Sequence, residues 1–273
     1  MEDTKQDKNN VQKVEPKIYK VAIGIPNEGL TKPEAYDNHL AVSFHLGKIE
    51  ERLKLNNAPI QFEFYWHTVG RLLTPVAREQ LVECAKAGNV DFIIMYDDDM
   101  TLPIDMFERL LEDMLEHPEI DILAPLAFMR GAPHFPVIYT INEIFDKERD
   151  SEHYISDIAK KYPKDCLVEA DAAGFGAVCI RMSMVKKMTA PYFFTMTKTG
   201  EDIFFCHKAK KETGARIFID TRIKLGHIGN APIIDEAYYE KFAKEHDIDI
   251  PDVEYKYNVE HKYNSYSGQE EYE

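Results

Sequence analysis

Three consecutive carboxylates, Asp97, Asp98 and Asp99, are the first candidates for cation binding in this sequence. They follow an apolar run at residues 90–96 and precede a helix start at residues 101–103. Carboxylates this close repel one another unless a cation neutralises them. Oxygen ligands on a loop suit Mg²⁺ or Mn²⁺ bridging to phosphates. The alternative is that the three acids only stabilise the N-terminus of the following helix.

A second acidic pair, Glu201 and Asp202, follows Gly200 at the start of another predicted helix. The helix dipole stabilises carboxylates at this position, so capping is one interpretation. The other interpretation is a general base or a carboxylate that binds an acceptor. The same dipole leads us to expect a low pKa for Asp202, which would keep the side chain ionised at neutral pH.

Four further side chains are weaker candidates. His227 follows a predicted strand in the sequence LGHIG, where the glycines let an imidazole approach a ligand, although a lone histidine is more often structural. Arg78 lies in the helix that precedes the strand followed by the three aspartates. It would form either a surface ion pair or a contact with a phosphate or a nucleobase. Arg130 and His134 lie in a loop after a strand, a common place for substrate contacts.

Apolar runs alternate with amphipathic segments along the chain, and this pattern predicts the elements that position these residues. Strands are predicted at residues 18–25, 60–65, 90–96, 121–127, 168–181 (two strands around a turn) and 215–223. Helices are predicted within residues 35–55 and from residues 74, 101 and 200. Residues 144–163 are polar and indicate no element. The alternation predicts an α/β fold, with a mostly parallel central sheet flanked by helices and a site at the carboxyl ends of its strands.

Composition narrows the classes of function. The chain has 273 residues, with 48 acidic against 33 basic ones and a formal net charge of −15. A net negative charge of this size disfavours extended, non-specific binding to nucleic acid or to an anionic membrane. An acidic protein that binds a phosphorylated ligand needs positive charge to offset the repulsion between its acids and the phosphates, and a divalent cation would supply that charge. No apolar run approaches the roughly 20 residues of a membrane span, so we expect none.

The four cysteines, Cys84, Cys166, Cys179 and Cys206, are scattered and form no Cys-x-x-Cys pair. They indicate neither a zinc site nor a disulfide framework, and suit a cytoplasmic protein with free thiols. Composition also divides the chain. We predict a disordered polar leader at residues 1–16, one catalytic domain at 17–230, and an acidic, Tyr-rich and partly disordered extension at 231–273.

Four motifs in order, YDDDM with TLP, AGFGAVCIR, GEDIFFCHKAKKETG and IDTRIKLGHIG, resemble those of the GT-A nucleotide-sugar glycosyltransferases. The likeness is greatest to family-2-like enzymes of bacteria and phages, and runs from about residue 21 to residue 229. It implies a GT-A fold and transfer of a sugar from a nucleotide-sugar donor to a hydroxyl, with Mn²⁺ or Mg²⁺ as cofactor and inversion at the anomeric carbon. The acceptor stays open: a glycan, a small molecule, a protein or a modified nucleic acid.

The resemblance also implies roles for single residues. Asp97 would lie near the donor ribose, Asp99 would bind the metal, and His227 would complete the metal shell. Asp202 would be the catalytic base, with Glu201 beside it in the acidic pair. Pro26, Asn27 and Glu28 would hold the nucleotide, and Gly174 and Gly176 match the turn that faces the donor sugar and the acceptor. Arg78, from its residue type and place in the chain, and Asp98, from its place between the other two aspartates, are further candidates for the donor site. One departure from the family is the position before Gly200, where relatives often have an aromatic residue and this chain has Thr199.

Two other functions remain open on sequence grounds. A sugar-phosphate nucleotidyltransferase would carry a Gly-rich loop with Arg or Lys directly after the first strand, and IGIPNEG lacks a basic residue. A non-catalytic protein of the same fold would use the acids only to hold a cation or a nucleotide sugar.

Overall fold

The computed structural model describes residues 15–27, 29, 31–146, 151–196, 199–229, 233–248 and 258–259. The strands are β1 (Lys17–Asn27), β2 (Ile60–Gly70), β3 (Phe92–Tyr96), β4 (Met100–Thr101), β5 (Ile122–Leu126), β6 (Ile138–Asp146), β7 (Ser151–Ile158), β8 (Leu167–Ala170), β9 (Ala172–Ala173), β10 (Ala177–Arg181), β11 (Ile217–Lys224), β12 (Gly226–Ile228), β13 (Ile233–Ile234) and β14 (Asn258–Val259). The helices are α1 (Pro33–Leu55), α2 (Thr74–Ala87), α3 (Met106–Glu116), α4 (Met182–Val185), α5 (Glu201–Thr213) and α6 (Glu236–Glu245).

Eight strands form the central sheet, in the order β14-β8-β11-β5-β10-β3-β1-β2. Strand β1 is parallel to β2 and β3, and β11 is parallel to β5. Strand β10 is antiparallel to β3 and β5, while β8 is antiparallel to β11 and β14. Six of these described strands therefore run in one direction, and only β8 and β10 are reversed. The predicted α/β class with a mostly parallel central sheet is confirmed.

Burial explains why the central strands form where they do. Every residue of β3 (FIIMY) and β5 (ILAPL) is buried, as expected for strands covered by helices on both faces. Helices α2 and α5 contribute to the core on one face, and α1 and α3 contribute to the core on the other. Helix α3 buries an apolar face whose residues recur at helical spacing: Met106, Phe107, Leu110, Leu111 and Met114.

A hairpin and a helix are among the elements that the sequence pattern did not indicate. Strands β6 and β7 pair as an antiparallel hairpin across most of the polar segment 144–163. Helix α6 follows the predicted boundary at residue 230 and packs on the domain, with the ring of Tyr239 stacked on Phe128 at 5.2 Å. Residues 1–14, which hold most of the predicted leader, and much of the predicted extension lie outside the described residues. None of the described helices has the length and apolarity needed to span a membrane.

A buried ion-pair network joins α3 to β11. Arg222 donates from Nη2 to both carboxylate oxygens of Asp113, at 2.9 and 2.8 Å, and from Nε to Asp220 at 2.7 Å. Both aspartates are fully buried. Burial, together with the charge of Asp220, raises the pKa of Asp113 to about 7 against the opposing effect of Arg222. The guanidinium therefore offsets two carboxylates that would otherwise be very costly to bury.

We predict that Arg222→Met destabilises the fold by about 3–5 kcal/mol at pH 8, because it leaves both acids buried without a cation. The folded-state pKa of Asp113 lies above its ordinary value, so protonation favours the folded state at low pH and this contribution is lost as pH rises through about 7. The loss measured by urea unfolding should therefore be smaller at pH 5 than at pH 8.

The matched control is Arg216→Met, which removes a two-nitrogen contact to the partly exposed Glu169. This exposed pair should contribute no more than about 1 kcal/mol. Equal losses for the two variants, or a loss at Arg222 that does not change with pH, would contradict the account of this network.

Candidate functional site

The turn Asp97–Asp99 lies between β3 and β4, beside the loop that leads into β10. The backbone N–H of Asp97 donates to the carbonyl of Gly176 at 2.9 Å. This contact follows from the antiparallel pairing of β10 with β3, in which Ala177 lies opposite Tyr96. The reversed strand therefore brings the glycine loop at residues 174–176 to the edge of the sheet where the three aspartates lie.

Arg78 of α2 connects this turn to the second acidic pair. Its Nη2 donates to Asp97 at 2.7 Å and to the Phe175 carbonyl at 2.8 Å, and its Nη1 donates to Glu201 at 2.5 Å. The residue is only 2% exposed. Burial opposes the charge on Arg78, but Asp97 and Glu201 more than offset that effect and raise its pKa. We call these four groups the Arg78 bridge.

Burial also changes the acidity of the two aspartates nearest this bridge. Burial raises the pKa of Asp97 to about 6, against the attraction of Arg78. Burial, followed by the charge of Glu201, raises the pKa of Asp202. The expectation of a low pKa for Asp202 is therefore wrong. The N–H of Ile203 does donate to its carboxylate at 2.7 Å, which favours the ionised form, but desolvation outweighs that contact.

Asp99 and His227 meet on the opposite side of the acidic turn. The Asp99 Oδ2 and His227 Nε2 atoms are 3.2 Å apart. Strand β12 pairs with β4, so that His227 lies opposite Met100, and the N–H of Ile228 donates to the Asp99 carbonyl at 2.9 Å. Burial opposes both charges, yet the contact lowers the pKa of Asp99 and raises that of His227. Arg130 also donates to Asp99, at 3.0 Å.

The donor atoms of this pair fit a divalent cation. The Nδ1 of His227 lies 2.9 Å from the carbonyl of Phe128, which can only accept a hydrogen bond. Nε2 donates to Asp99 when the ring is protonated. In the neutral imidazole, Nδ1 carries the proton and the lone pair of Nε2 could bind a cation that lies between the ring and the carboxylate. A histidine held through its other nitrogen in this way is common at metal sites. One carboxylate and one imidazole leave room for phosphate and water ligands around Mn²⁺ or Mg²⁺.

A group with three possible ligands lies elsewhere, at the end of α3. It comprises Asp113, Glu116 and His117. Asp113 is already engaged by Arg222, within the network that joins α3 to β11. None of these residues belongs to the motifs that carry the resemblance. The pair Asp99 and His227 therefore remains the candidate cation site at this edge of the sheet.

The loop after β1 also reaches this edge, because β1 lies next to β3 with Gly24 opposite Met95. Pro26 and Asn27 are the last residues of β1. The Asn27 side chain shapes its own loop by accepting from the N–H of Gly29 at 2.6 Å and donating to Thr31 at 2.9 Å. Glu28, predicted to contact the donor with them, lies outside the described residues. Asp98 occupies the turn between Asp97 and Asp99.

The structure separates the two residues predicted as a substrate loop. Arg130 reaches Asp99, as described above. His134 is buried instead, and its ring packs edge-on against Tyr238 at 5.2 Å and Phe242 at 4.8 Å, both from α6. Its Nδ1 lies 3.1 Å from the Met129 carbonyl. His134 thus packs against α6 and is not part of the carboxylate cluster at the candidate site.

Close packing explains the predicted glycines. A Cβ atom on Gly174 would lie 2.6 Å from the Cβ of Val137, closer than real side chains approach. A Cβ on Gly176 would meet the end of the Met100 side chain at 3.0 Å. Both glycines therefore allow the loop at residues 174–176 to pack tightly against neighbouring segments. This packing requires glycine whether or not the loop faces a donor sugar.

Two residues at this edge were missed by the sequence analysis. The ammonium of Lys32 donates to the carbonyls of Ile228 and Gly229, at 3.3 and 2.7 Å, and so fastens the segment that carries His227. The Asn38 amide donates to the Leu102 carbonyl at 2.9 Å and accepts from the Leu102 N–H at 2.7 Å. Lys32 lies only a few residues after the first strand, at the strand end where the site was predicted. That position was the sequence signal that could have identified Lys32.

No protein-family model matches the sequence, and no characterised protein matches it in a sequence search. The fold is similar to A197 from STIV, with 18% identity, a TM-score of 0.48, and coverage of 77% of this chain and 85% of A197. It is also similar to S. aureus TarS 1-349, with 13% identity, a TM-score of 0.40, and coverage of 75% of this chain and 59% of TarS.

The same TarS fragment in complex with UDP-GlcNAc gives 13% identity, a TM-score of 0.39, and coverage of 78% of this chain and 59% of TarS. This chain thus matches less than two thirds of the TarS fragment. All three TM-scores lie below 0.5, so nothing about the chemistry of this chain follows from them. The candidate site must be judged on its own geometry.

We predict that Gly174→Ala destabilises the fold by about 1–3 kcal/mol, the usual cost of overpacking, because the new methyl would collide with Val137. In thermal unfolding, the double variant Gly174→Ala with Val137→Gly, which removes the Cβ that the new methyl meets at 2.6 Å, should lose less stability than the sum of the two single variants. The control is Gly131→Ala, where a Cβ meets no atom within 4 Å. Strict additivity of the two changes would show that Val137 is not the obstacle.

Proposed function

We propose that this chain is a GT-A-type, cation-dependent glycosyltransferase that moves a sugar from a nucleotide-sugar donor to a hydroxyl acceptor. The observation that carries the proposal is the convergence of all four motifs at one edge of the sheet. Arg78 joins Asp97 to Glu201, and β12 holds His227 against Asp99. Parallel strands commonly place ligands at this edge.

Each part of the site has a distinct role in this proposal. The end of β1 at Pro26 and Asn27, the loop that follows it and the carboxylate of Asp97 bind the nucleoside end of the donor. Asp99 and His227 hold Mn²⁺ or Mg²⁺, which when bound offsets the negative charge on the departing diphosphate. Arg130, which is 60% exposed beside Asp99, supplies a further positive charge near the diphosphate.

Asp202 is the proposed general base. The acceptor oxygen forms its bond to the anomeric carbon while the bond from that carbon to the diphosphate breaks, and the hydroxyl proton passes to Asp202. This single displacement inverts the anomeric centre. Burial raises the pKa of Asp202, which makes its carboxylate a stronger base than an exposed aspartate. A burial-raised pKa in a group beside a cluster of charges is typical of catalytic acids and bases.

The direct test of this function is an assay with a panel of nucleotide sugars, including UDP-GlcNAc, with and without Mn²⁺. Release of a nucleoside diphosphate that requires Mn²⁺ would support the transferase, and retention of anomeric configuration in the product would exclude simple inversion. Consumption of a nucleoside triphosphate with release of pyrophosphate would identify a nucleotidyltransferase instead. Binding of nucleotide sugars without turnover, across the whole panel of donors and acceptors, would indicate a non-catalytic protein.

We predict that Asp202→Asn lowers transfer by about 10²-fold or more, because the amide cannot accept the proton. Calorimetry should show nearly unchanged binding of the nucleoside diphosphate, since the base lies on the acceptor side. The control is Asp105→Asn, which changes another aspartate at a helix start, the residue before α3, and should leave transfer near the wild-type rate. Near wild-type turnover by Asp202→Asn would remove Asp202 from the role of base.

We also predict that Asp99→Ala and His227→Ala each weaken Mn²⁺-dependent binding of a nucleoside diphosphate in calorimetry. Two ligands of one ion act as a unit, so the double variant should be little worse than Asp99→Ala alone. His227→Ala should also raise the Mn²⁺ concentration that gives the half-maximal rate.

The matched control for His227 is His134→Ala, because both imidazoles lie within hydrogen-bond distance of a backbone carbonyl through Nδ1. The control should lower thermal stability without changing the Mn²⁺ requirement. If His227→Ala behaves in the same way as His134→Ala, then His227 only packs against its neighbours and is not a ligand.

A further inference from the structure

Arg78 is the most deeply buried cation at the candidate site, and its hydrogen bonds all go to protein groups. Both η nitrogens are engaged, one by Glu201 and the other by Asp97 and the Phe175 carbonyl. The remaining donor, Nε, is buried and has no hydrogen-bond partner in the described part of the chain. A buried donor without a partner is rare and costly, and calls for an explanation.

We propose that Arg78 is a positioning residue, which holds Glu201 against Asp97 and leaves Asp202 as the one carboxylate of the acidic pair that is available as a base. This role presupposes the proposed transferase activity. It differs from the direct donor contact predicted from the sequence, since Arg78 then acts on the donor only through Asp97.

The geometry of the helix start separates the two acids. Consecutive residues on an α-helix point about 100° apart, so Glu201 and Asp202 face different directions. Glu201 turns towards Arg78, whereas Asp202 accepts from the N–H of Ile203. An unpaired Glu201 would add to the repulsion that it already exerts on the neighbouring carboxylate. Pairing Glu201 with a fixed cation removes most of that repulsion and fixes the rotation of the helix start.

Only arginine can bridge three acceptors in this way. Its planar fork offers several N–H donors in fixed directions, whereas lysine presents a compact charge on one nitrogen. The three acceptors belong to three different segments: the end of β3, the loop before β10 and the start of α5. The guanidinium therefore sets the distance between the donor-side carboxylate Asp97 and the helix that carries Asp202. The buried, unpaired Nε is the cost of directing both η nitrogens at these segments.

The test compares Arg78→Lys, Glu201→Gln and their double variant for turnover at saturating donor and for UDP affinity by calorimetry. Misplacement of reacting groups by about 1 Å costs on the order of 10²-fold in rate, so we expect each single variant to lose about 10–100-fold in kcat. UDP affinity should change by less than about 3-fold, since each variant keeps a cation beside Asp97 and Arg78 itself does not contact the donor. The double variant should be no slower than the slower single variant.

The control is Arg52→Lys, which changes a partly exposed arginine of α1 and should leave both measurements unchanged. If Arg78→Lys weakens UDP binding as much as it slows turnover, then Arg78 contacts the donor and the positioning role is wrong. If the losses in kcat from Arg78→Lys and Glu201→Gln multiply in the double variant, then the two residues do not act as a unit and the role is also wrong. Glu201→Gln keeps the Arg78 guanidinium in place, so its kcat and UDP affinity can be measured even if Arg78→Lys folds poorly.

Thermal unfolding of the same set separates this inference from the proposed function. Contacting residues should show non-additive losses of stability, whatever the chain catalyses. Non-additive stability with no transfer by the wild type would contradict the transferase and leave the Arg78 bridge in place. If the wild type transfers sugar but the losses of stability and of rate are additive, the Arg78 bridge is contradicted and the proposed transferase activity is not.

Discussion

A positive charge buried beneath one edge of the sheet is the interaction on which the rest of this site depends. A guanidinium that is 2% exposed is tolerated only where anions and hydrogen-bond acceptors surround it. Asp97 and Glu201 provide the two carboxylates, and they belong to segments more than a hundred residues apart. The end of β3 and the start of α5 must therefore meet at Arg78. Every other feature of the site is arranged around that meeting point.

Strand pairing divides this edge into two chemically different halves. On one side, the pairing of β12 with β4 holds His227 beside Asp99, so that a carboxylate oxygen and an imidazole nitrogen face one another. On the other side, burial raises the pKa of Asp202 above that of an ordinary aspartate. The proposed reaction needs both halves: one offsets charge on a departing diphosphate, and the other takes a proton. The Arg78 bridge joins Asp97, which lies in the same turn as Asp99, to Glu201, which is the neighbour of Asp202.

Much of this arrangement could be predicted from local sequence signals. The all-apolar runs of β3 and β5 predicted buried strands. Asp99 follows β3 and His227 follows β11, and the expectation that strands end at one edge of the sheet predicted that the two residues would meet. Features set by tertiary packing could not be predicted. The polar hairpin of β6 and β7 has no clear apolar alternation, and the burial of His134 depends on α6. The raised pKa of Asp202 reflects desolvation, which overrides the local effect of the helix start.

The most direct measurement is a crystal structure of the chain grown with Mn²⁺ and UDP, with the ion located by its anomalous scattering. Our account predicts one Mn²⁺ within coordination distance of Asp99 and His227. It also predicts the diphosphate on that ion and the nucleoside beside Asn27 and Asp97. An ion bound at Asp113, Glu116 and His117 instead, or a nucleotide bound away from the Asp97–Asp99 turn, would contradict the account.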